Sequence, residues 1–169
     1  FGQLTRHFFA SSSCGLCGKA SIESVQQNFP PVENQSEVSA KMLASLPDKL
    51  RVAQPTFDQT GGLHAAGLFS MDGFLTVSRE DVGRHNAVDK VIGNAFLDRV
   101  DLSQSILLVS GRASFEIMQK SLAARIPIVA AVSAPSSLAV EFAQDSGQTL
   151  AGFVRGKTMN VYSGAQRVR

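Results

Sequence analysis

Two cysteines are all that this chain of 169 residues contains. They cannot form a disulfide framework, which a domain of this length does not need. The sequence also lacks any apolar run long enough to cross a bilayer. Its first residues, Phe1 to His7, lack the basic-then-apolar order of a signal peptide. These absences predict a protein of the reducing cytoplasm. Because the chain starts at Phe1 without a methionine, we expect it to be part of a longer protein.

Charge is scarce as well. Charged residues make up 18% of the chain, against about 25% in typical domains. The net charge of +2 is too small to favour nucleic acid as the main partner. Apolar residues make up 44%, which predicts a hydrophobic core and argues against disorder. We therefore expect one compact domain that buries roughly 70% of its unfolded surface.

Two nucleotide-binding motifs are absent. No GxGxxG sequence is present, so nothing points to a nicotinamide or flavin enzyme. Gly156-Lys157-Thr158 resembles the end of a P-loop, but Ala151 stands where that motif requires its first glycine. Met159 to Tyr162 then alternates like a strand, whereas a P-loop leads into a helix. We therefore reject a P-loop.

The first half of the chain contains two predicted helices and a hairpin. Helical spacing of apolar residues begins at Ser36, and Pro47 is expected to end that helix. A turn or loop is expected over residues 59–62, before a hairpin with the strands Ala65–Ser70 and Phe74–Ser78. From Asp81, a candidate N-cap, a second helix is predicted. Its predicted apolar face comprises Ala87, Val88, Val91, Ile92, Ala95 and Phe96.

Strands and helices alternate in the second half. The predicted strands are Ser105–Ser110, Ile126–Val132, Thr149–Val154 and Met159–Ser163. The predicted helices are Phe115–Ala124 and Pro135–Asp145, the latter ended by Gly147. This alternation predicts a single α/β domain over residues 36–169, with three α/β/α layers and a mixed, largely parallel sheet. Residues 1–35 are expected to be an N-terminal segment with a mobile, cysteine-containing loop.

Cys14-Gly15-Leu16-Cys17 places both thiols within reach of each other. Two intervening residues allow the sulfurs to share a disulfide, a metal ion or a migrating sulfur atom, and Lys19 would favour the thiolate. A zinc site needs two further ligands, and the chain has only three histidines, at none of the spacings of a zinc ribbon or finger. We favour a reactive pair, with zinc binding or inert packing as the alternatives.

The helix predicted from Asp81 carries a polar stripe. Asp81, His85 and Asp89 are spaced four apart and would line one side, with Asn86 and Lys90 beside them. A helix N-terminus can hold an anion, so this stripe is a candidate site. A solvated polar face is an equally good interpretation.

Three loops are further candidates. Ser110-Gly111-Arg112-Ala113-Ser114 follows a buried strand and precedes a helix, the place where ligands bind in parallel α/β sheets. Its backbone N–H groups and Arg112 would receive a phosphate. A similar stretch of small and polar residues, 133–137, occupies the same position after the next strand. Residues 152–158 form a basic loop with two glycines. Ordinary turns also contain such residues, which is the alternative for all three.

Six stretches of the sequence together resemble the formate dehydrogenase accessory sulfurtransferase family, usually called FdhD. They are SSSCGLCGKASIE, TGGLHAAGLF, REDVGRHNAVDKVIG, LLVSGRAS, KSLAARIPIVAAVSAPSSLAVEFA and FVRGKTMNVYS. The stretches run nearly from end to end, and together they are far more specific than an isolated CxxC pair. Members of the family normally carry a further N-terminal region, which we expect this chain to lack.

The resemblance implies a sulfurtransferase with a cysteine persulfide intermediate. A cysteine desulfurase would hand sulfur to Cys14, and Cys17 would take over or resolve it. The sulfur would then pass to a molybdenum (or tungsten) bis-guanine-dinucleotide cofactor, which is inserted into formate dehydrogenase. The family fold is similar to that of cytidine deaminase, whose zinc thiolates are missing here at Gly111-Arg112-Ala113. No permanently bound metal is therefore expected.

The phosphates of such a cofactor suit basic groups at the loops and helix starts. The expected cofactor-binding residues are Phe153, Val154, Arg155, Gly156, Lys157, Thr158, Arg84, His85 and Arg112. A homodimer is expected because it is the commonest assembly for such domains. The alternative is a non-catalytic cofactor-binding chaperone whose cysteines bind zinc or close a disulfide. A nucleotide deaminase is disfavoured by the missing zinc ligands.

Overall fold

The computed structural model describes residues 29–33 and 36–169, which form one six-stranded sheet with helices on both faces. The strands are β1 His64–Ser70, β2 Leu75–Asp81, β3 Ser105–Val109, β4 Ile128–Ala131, β5 Thr149–Arg155 and β6 Thr158–Ser163. The helices are α1 Ala40–Val52, α2 Pro55–Thr60, α3 Arg84–Leu97, α4 Phe115–Ala123 and α5 Ser137–Asp145. The predicted α/β fold is confirmed.

The sheet has the order β2-β1-β3-β4-β5-β6. Only β3–β4 and β4–β5 are parallel pairs, and the other three pairs are antiparallel. The sheet is mixed as expected, although its parallel share is smaller than the sequence indicated. Two of the antiparallel pairs follow from their connections: β1 joins β2, and β5 joins β6, by loops far too short for the crossover that a parallel pair needs.

Two apolar clusters hold the layers together. Helices α3, α4 and α5 pack their buried residues against one face of the sheet. On the other face, Leu43, Leu46 and Leu50 of α1 pack against β3, β4 and β5. The central strands β3 and β4 are therefore covered on both sides, which explains their continuous apolar runs. Among the described residues, no helix combines the length and apolarity that a membrane span requires.

Pro47 does not end its helix, contrary to the prediction. It lies inside α1, which continues to Val52. A proline in a helix removes one backbone hydrogen bond, but Leu46 and Leu50 on either side of it are almost completely buried. Packing of this apolar face onto the sheet outweighs the missing bond, because most helical stability in proteins comes from tertiary contacts.

Two smaller expectations are corrected. Residues 59 and 60 belong to α2 rather than to a loop, and Gly61, with φ of 65°, ends that helix. The carboxylate of Glu80 accepts hydrogen bonds from the backbone N–H groups of Thr56 and Phe57 at 2.9 and 2.7 Å, which stabilises the start of so short a helix. Phe96 was expected on the apolar face of α3, but its side chain is 81% exposed and does not belong to the buried face of that helix.

Candidate functional site

The predicted site residues within the described ranges converge on one edge of the sheet. Strands β3 and β4 are parallel, so the loops that follow them, which begin at Ser110 and Val132, lie side by side at their carboxyl ends. The antiparallel register of β1 with β3 brings His64 to the same edge. Phe153 joins it through a hydrogen bond from its backbone N–H to the Ser133 carbonyl, at 3.1 Å. We call this region the carboxyl edge.

Helices α3, α4 and α5 all begin at the carboxyl edge. The N-cap of α3 is Gly83, which has no side chain, and the hydroxyl of Ser114 does not cap α4. Ser136, in contrast, caps α5 by accepting a hydrogen bond from the Ala139 N–H at 3.2 Å. The first N–H groups of α3 and α4 therefore lack a side-chain acceptor. Such N-termini favour an anion.

His64 and Arg84 lie together over Gly111. A Cβ atom at Gly111 would stand 3.2 Å from His64 Nδ1 and 3.6 Å from Arg84 Cδ. The glycine thus leaves room for both cation-forming side chains at the end of β3. Arg84 Nε is buried and has no hydrogen-bond partner within the described part of the chain. This unpartnered guanidinium N–H is available to an incoming hydrogen-bond acceptor.

His85 contacts two polar side chains at the start of α4, the N-cap residue Ser114 and Glu116. Its Nε2 shares a hydrogen bond with Ser114 Oγ at 2.7 Å and lies 3.4 Å from Glu116 Oε2. Burial, together with the neighbouring Arg84 charge, lowers the pKa of His85 below its ordinary value of 6.5, although Glu116 acts in the opposite direction. The lowered pKa favours the neutral form of His85, which offers a hydrogen-bonding ring rather than a charge.

Asp81 belongs to the end of β2 and is not the N-cap of the following helix, contrary to the prediction. Its carboxylate accepts hydrogen bonds from Lys90 Nζ at 2.6 Å, from the Gly83 N–H at 2.8 Å and from Asn86 Nδ2 at 3.0 Å. These contacts, that of Lys90 above all, lower the pKa of Asp81 to about 2. Three residues of the predicted polar stripe, Asp81, Asn86 and Lys90, thus fix the turn between β2 and α3.

The basic loop predicted at residues 153–158 is the end of the β5–β6 hairpin. Arg155, Gly156, Lys157 and Thr158 are exposed, whereas the Val154 side chain is fully buried in the core. Phe153 is partly exposed and has a φ of 52°, unusual for a residue other than glycine. The hairpin therefore offers two cations and an aromatic ring to a ligand, but not the Val154 side chain.

The carboxyl edge is rich in unpaired positive charge. Arg84, Arg112, Arg155 and Lys157 form no ion pair with any residue that the structure describes. Four such cations next to two uncapped helix N-termini are well suited to an anionic ligand with several phosphates. No cluster of three metal-ligating side chains occurs within residues 29–33 and 36–169.

A cavity of about 620 Å³ opens beside this edge on the α1 side of the sheet. Its lining includes His64, Ser110 and Gln54. Gln54 is only 4% exposed, and its side chain makes no hydrogen bond to a residue that the structure describes. Sequence reasoning missed His64 as a member of the edge, although its position as the first residue of β1, which is antiparallel to β3, determines its location. No sequence motif singles out Gln54 or Glu116 as a candidate site residue.

Cys14 and Cys17, predicted to carry the chemistry, lie outside the described residues. The structure brings together the remaining predicted residues: Arg84, His85 and Arg112 around the starts of α3 and α4, and residues 153–158 beside them. It thus defines a candidate ligand-binding edge without describing the reactive group.

Comparison with known proteins finds close relatives. The profile of the FdhD/NarQ family matches residues 3–169. The chain is 58% identical over 168 residues to the sulfur carrier protein FdhD of Mycobacterium tuberculosis, covering 98% of this chain and 61% of that protein. It is 46% identical over 165 residues to that of Sulfolobus acidocaldarius, with coverages of 97% and 64%. The chain thus spans about three fifths of the length of these curated relatives.

A solved structure is similar as well. The chain superimposes with a TM-score of 0.76 and 33% identity on the crystal structure described as a formate dehydrogenase accessory protein from Desulfotalea psychrophila. The match covers 83% of this chain and 60% of the other.

Proposed function

Because the chain belongs to the FdhD/NarQ family, we propose that it is a sulfur carrier in the maturation of formate dehydrogenase. The observation that carries the proposal is its identity of 46–58% to proteins named sulfur carrier protein FdhD. The donor is a cysteine desulfurase of the reducing cytoplasm, and the acceptor is a molybdenum or tungsten bis-guanine-dinucleotide cofactor. Cys14 carries the sulfur as a persulfide.

The chemistry of the two thiols is balanced without an outside oxidant. The Cys14 thiolate attacks the outer sulfur of the desulfurase persulfide, so a new S–S bond forms while the desulfurase thiolate leaves. Attack by the Cys17 thiolate on Cys14 Sγ then releases the outer sulfur as sulfide and leaves a Cys14–Cys17 disulfide. The transferred sulfur gains the two electrons that the thiols lose, and a cellular thiol reductant later restores both cysteines.

The carboxyl edge supports the acceptor half of the proposal. A bis-guanine-dinucleotide cofactor carries two pyrophosphates, which match the unpaired cations Arg84, Arg112, Arg155 and Lys157. His85 would accept or donate a hydrogen bond beside them. The metal centre of the cofactor is the cargo to be sulfurated, and the residues of this edge bind and orient it.

The length of chain before Phe29 is sufficient for a carrier role. Phe29 lines a cavity with Leu122 and Ala123, at the C-terminal end of α4, whereas the N-terminal end of α4 lies at the carboxyl edge. Cys17 stands twelve positions before Phe29, and an extended chain over that distance reaches roughly 40 Å. Helix α4, with nine residues, is only about 13 Å long, so Cys17 can reach the edge.

The proposal is tested by sulfur loading followed by mass spectrometry. After incubation with a cysteine desulfurase and cysteine, the protein should gain one sulfur mass, located on Cys14. We expect Cys14→Ala to prevent this gain, while Cys17→Ala still accepts sulfur but no longer releases it as sulfide. The matched control is Ser13→Ala, which should load and release normally.

Other results of the same experiment would contradict the proposal. If Cys17→Ala prevents loading and Cys14→Ala does not, the two roles are exchanged. Loading that neither substitution affects would refute the carrier role. Stoichiometric zinc in the purified protein, lost from both cysteine variants, would leave no free carrier thiol and would favour the chaperone alternative.

A further inference from the structure

The carboxylate of Glu116 stands at the carboxyl edge, and neither the proposed sulfur transfer nor the binding of phosphates uses it. Its Oε2 lies 3.4 Å from His85 Nε2, which also shares a hydrogen bond with Ser114 Oγ at 2.7 Å. Ser114 is only 2% exposed, so the packing around it holds this group in place. An acidic group next to unpaired cations weakens their attraction for an anion. A carboxylate is thus unexpected at an edge that otherwise suits anions.

The contacts of His85 determine where its proton lies. An ionised carboxylate only accepts hydrogen bonds, so the ring next to Glu116 carries a proton on Nε2. In the neutral ring Nδ1 is then an acceptor, and it has no hydrogen-bond partner among the residues that the structure describes. Phosphate oxygens are acceptors as well. A phosphate can therefore form a hydrogen bond with Nδ1 only after that nitrogen has gained a proton.

Four charged groups act on the ring of His85. Arg84 and Asp89 belong to α3, whereas Glu116 and Lys120 belong to α4. Burial and then Arg84 lower the pKa of His85, and Glu116 raises it. Asp89 and Lys120 form an ion pair with each other and act on the ring in opposite directions. Glu116 is therefore the main carboxylate that favours a protonated ring.

We propose that Glu116 is a positioning residue, which orients His85 and enables it to take up one proton when a pyrophosphate binds at the carboxyl edge. This inference rests on the proposed function, whose acceptor carries such groups. The proton comes from solvent and adds to Nδ1, and no other bond changes. Nδ1–H then donates to a phosphate oxygen, while Nε2–H keeps its contacts with Ser114 and Glu116. Both N–H groups of the cationic ring thus have acceptors.

The binding of the ligand is thereby coupled to pH. Burial and Arg84 favour the neutral ring in the free protein, whereas a phosphate beside the ring favours the cation. The bound form therefore holds a proton that the free form lacks. Binding becomes tighter as the pH falls through the range in which the two forms differ.

Isothermal titration calorimetry of the full chain with GDP-mannose tests the coupling. The pyrophosphate of this probe is a diester, so it does not itself titrate between pH 5.5 and 8. Uptake of one proton changes an affinity by at most about 10-fold per pH unit, so the dissociation constant should fall roughly 3- to 10-fold from pH 7.5 to 6. Titrations at one pH in two buffers of different ionisation enthalpy measure the proton uptake directly.

Two variants should remove the coupling. Glu116→Gln keeps the size of the side chain and removes its charge, and His85→Gln removes the titrating ring. Both should flatten the pH profile and reduce the proton uptake. Glu141→Gln is the matched control, because it makes the same change at an exposed position of α5, which begins at the same edge. It should keep the wild-type profile, since none of the contacts of His85 within the described ranges involves Glu141.

The opposite results are equally clear. A flat profile of the wild-type chain, or a profile that Glu116→Gln leaves unchanged, would overturn the proposal. If Glu116→Gln binds the probe more tightly at every pH with the wild-type slope, Glu116 is only a repelling charge and the proposal is wrong. Failure of GDP-mannose to bind at any pH would overturn it together with phosphate binding at this edge. The sulfur-loading assay does not depend on His85, so the carrier role is tested separately.

Discussion

The two ends of α3 present opposite chemistry to solvent. At the N-terminal end, Arg84 and His85 stand beside uncapped backbone N–H groups at the carboxyl edge. At the C-terminal end, about 20 Å away for a helix of 14 residues, Phe96 and Leu97 expose apolar side chains. The middle of the helix packs Ala87, Val88 and Val91 against the sheet.

This difference follows from the free backbone groups at each end, which are N–H groups at the N-terminus and carbonyl groups at the C-terminus. The first N–H groups of a helix attract anions, and the nearby arginines strengthen that attraction. The last turn of α3 contains no basic residue. Its free carbonyl groups therefore lack the cation that a helix C-terminus favours. The N-terminal end of α3 is therefore suited to an anion, whereas the C-terminal end exposes apolar side chains, and the buried middle holds both ends in fixed positions.

The largest expected effect concerns the polar end. GDP serves as a probe for the guanine-nucleotide part of the acceptor cofactor. Arg84→Ala should weaken its binding by about 10- to 100-fold, since a charge-assisted hydrogen bond contributes roughly 1.5–3 kcal/mol. Isothermal titration calorimetry measures the change. Arg99→Ala, just beyond the C-terminal end of α3, is the control and should bind as the wild type does. Equal losses in both variants would contradict the division of roles along α3.

A smaller effect is expected from Gly93→Ala, at the apolar end. Alanine is better than glycine in a helix interior by about 0.8–1 kcal/mol, and the added methyl group meets no atom within 4 Å. The free energy of unfolding in urea should therefore rise by nearly this amount. A decrease would show that the added methyl group meets a neighbouring atom.

The smallest effect concerns the pH dependence that His85 gives to stability. Its pKa in the folded chain is lower than the ordinary value of 6.5, so the unfolded chain binds more protons below pH 6.5. The free energy of unfolding should therefore fall as the pH drops through 6.5. His85→Gln should reduce this slope, and His64→Gln is the control. Urea unfolding between pH 7.5 and 5 provides the measurement, and an unchanged slope in His85→Gln would exclude the role.

The sequence predicted elements well where apolar residues recur with a clear period. The strands around Leu107 and Val129 follow from continuous apolar runs, and the hairpin after Ser70 follows from its Asp-Gly turn. Predictions failed where a contact from a distant element determines the result. Pro47 remains helical because Leu46 and Leu50 pack on the sheet, and no local pattern reports that packing.

The candidate site was partly predictable for the same reason. Arg112 and the loop at residues 153–158 follow strands whose direction the alternating pattern indicates, so their common edge could be foreseen. The pairing of His64 with Arg84 over Gly111 could not, because it depends on an antiparallel register between β1 and β3. The roles of Cys14 and Cys17 still rest on the resemblance of their motif.

By itself, the sequence determined which segments are buried and which basic loops follow the central strands, because apolar periodicity and turn residues act over short distances along the chain. Only the tertiary structure decided which side chains share an edge, which helix N-termini lack a cap and which apolar residues stay uncovered. Those properties depend on strand order, register and helix packing, which join residues far apart in the chain.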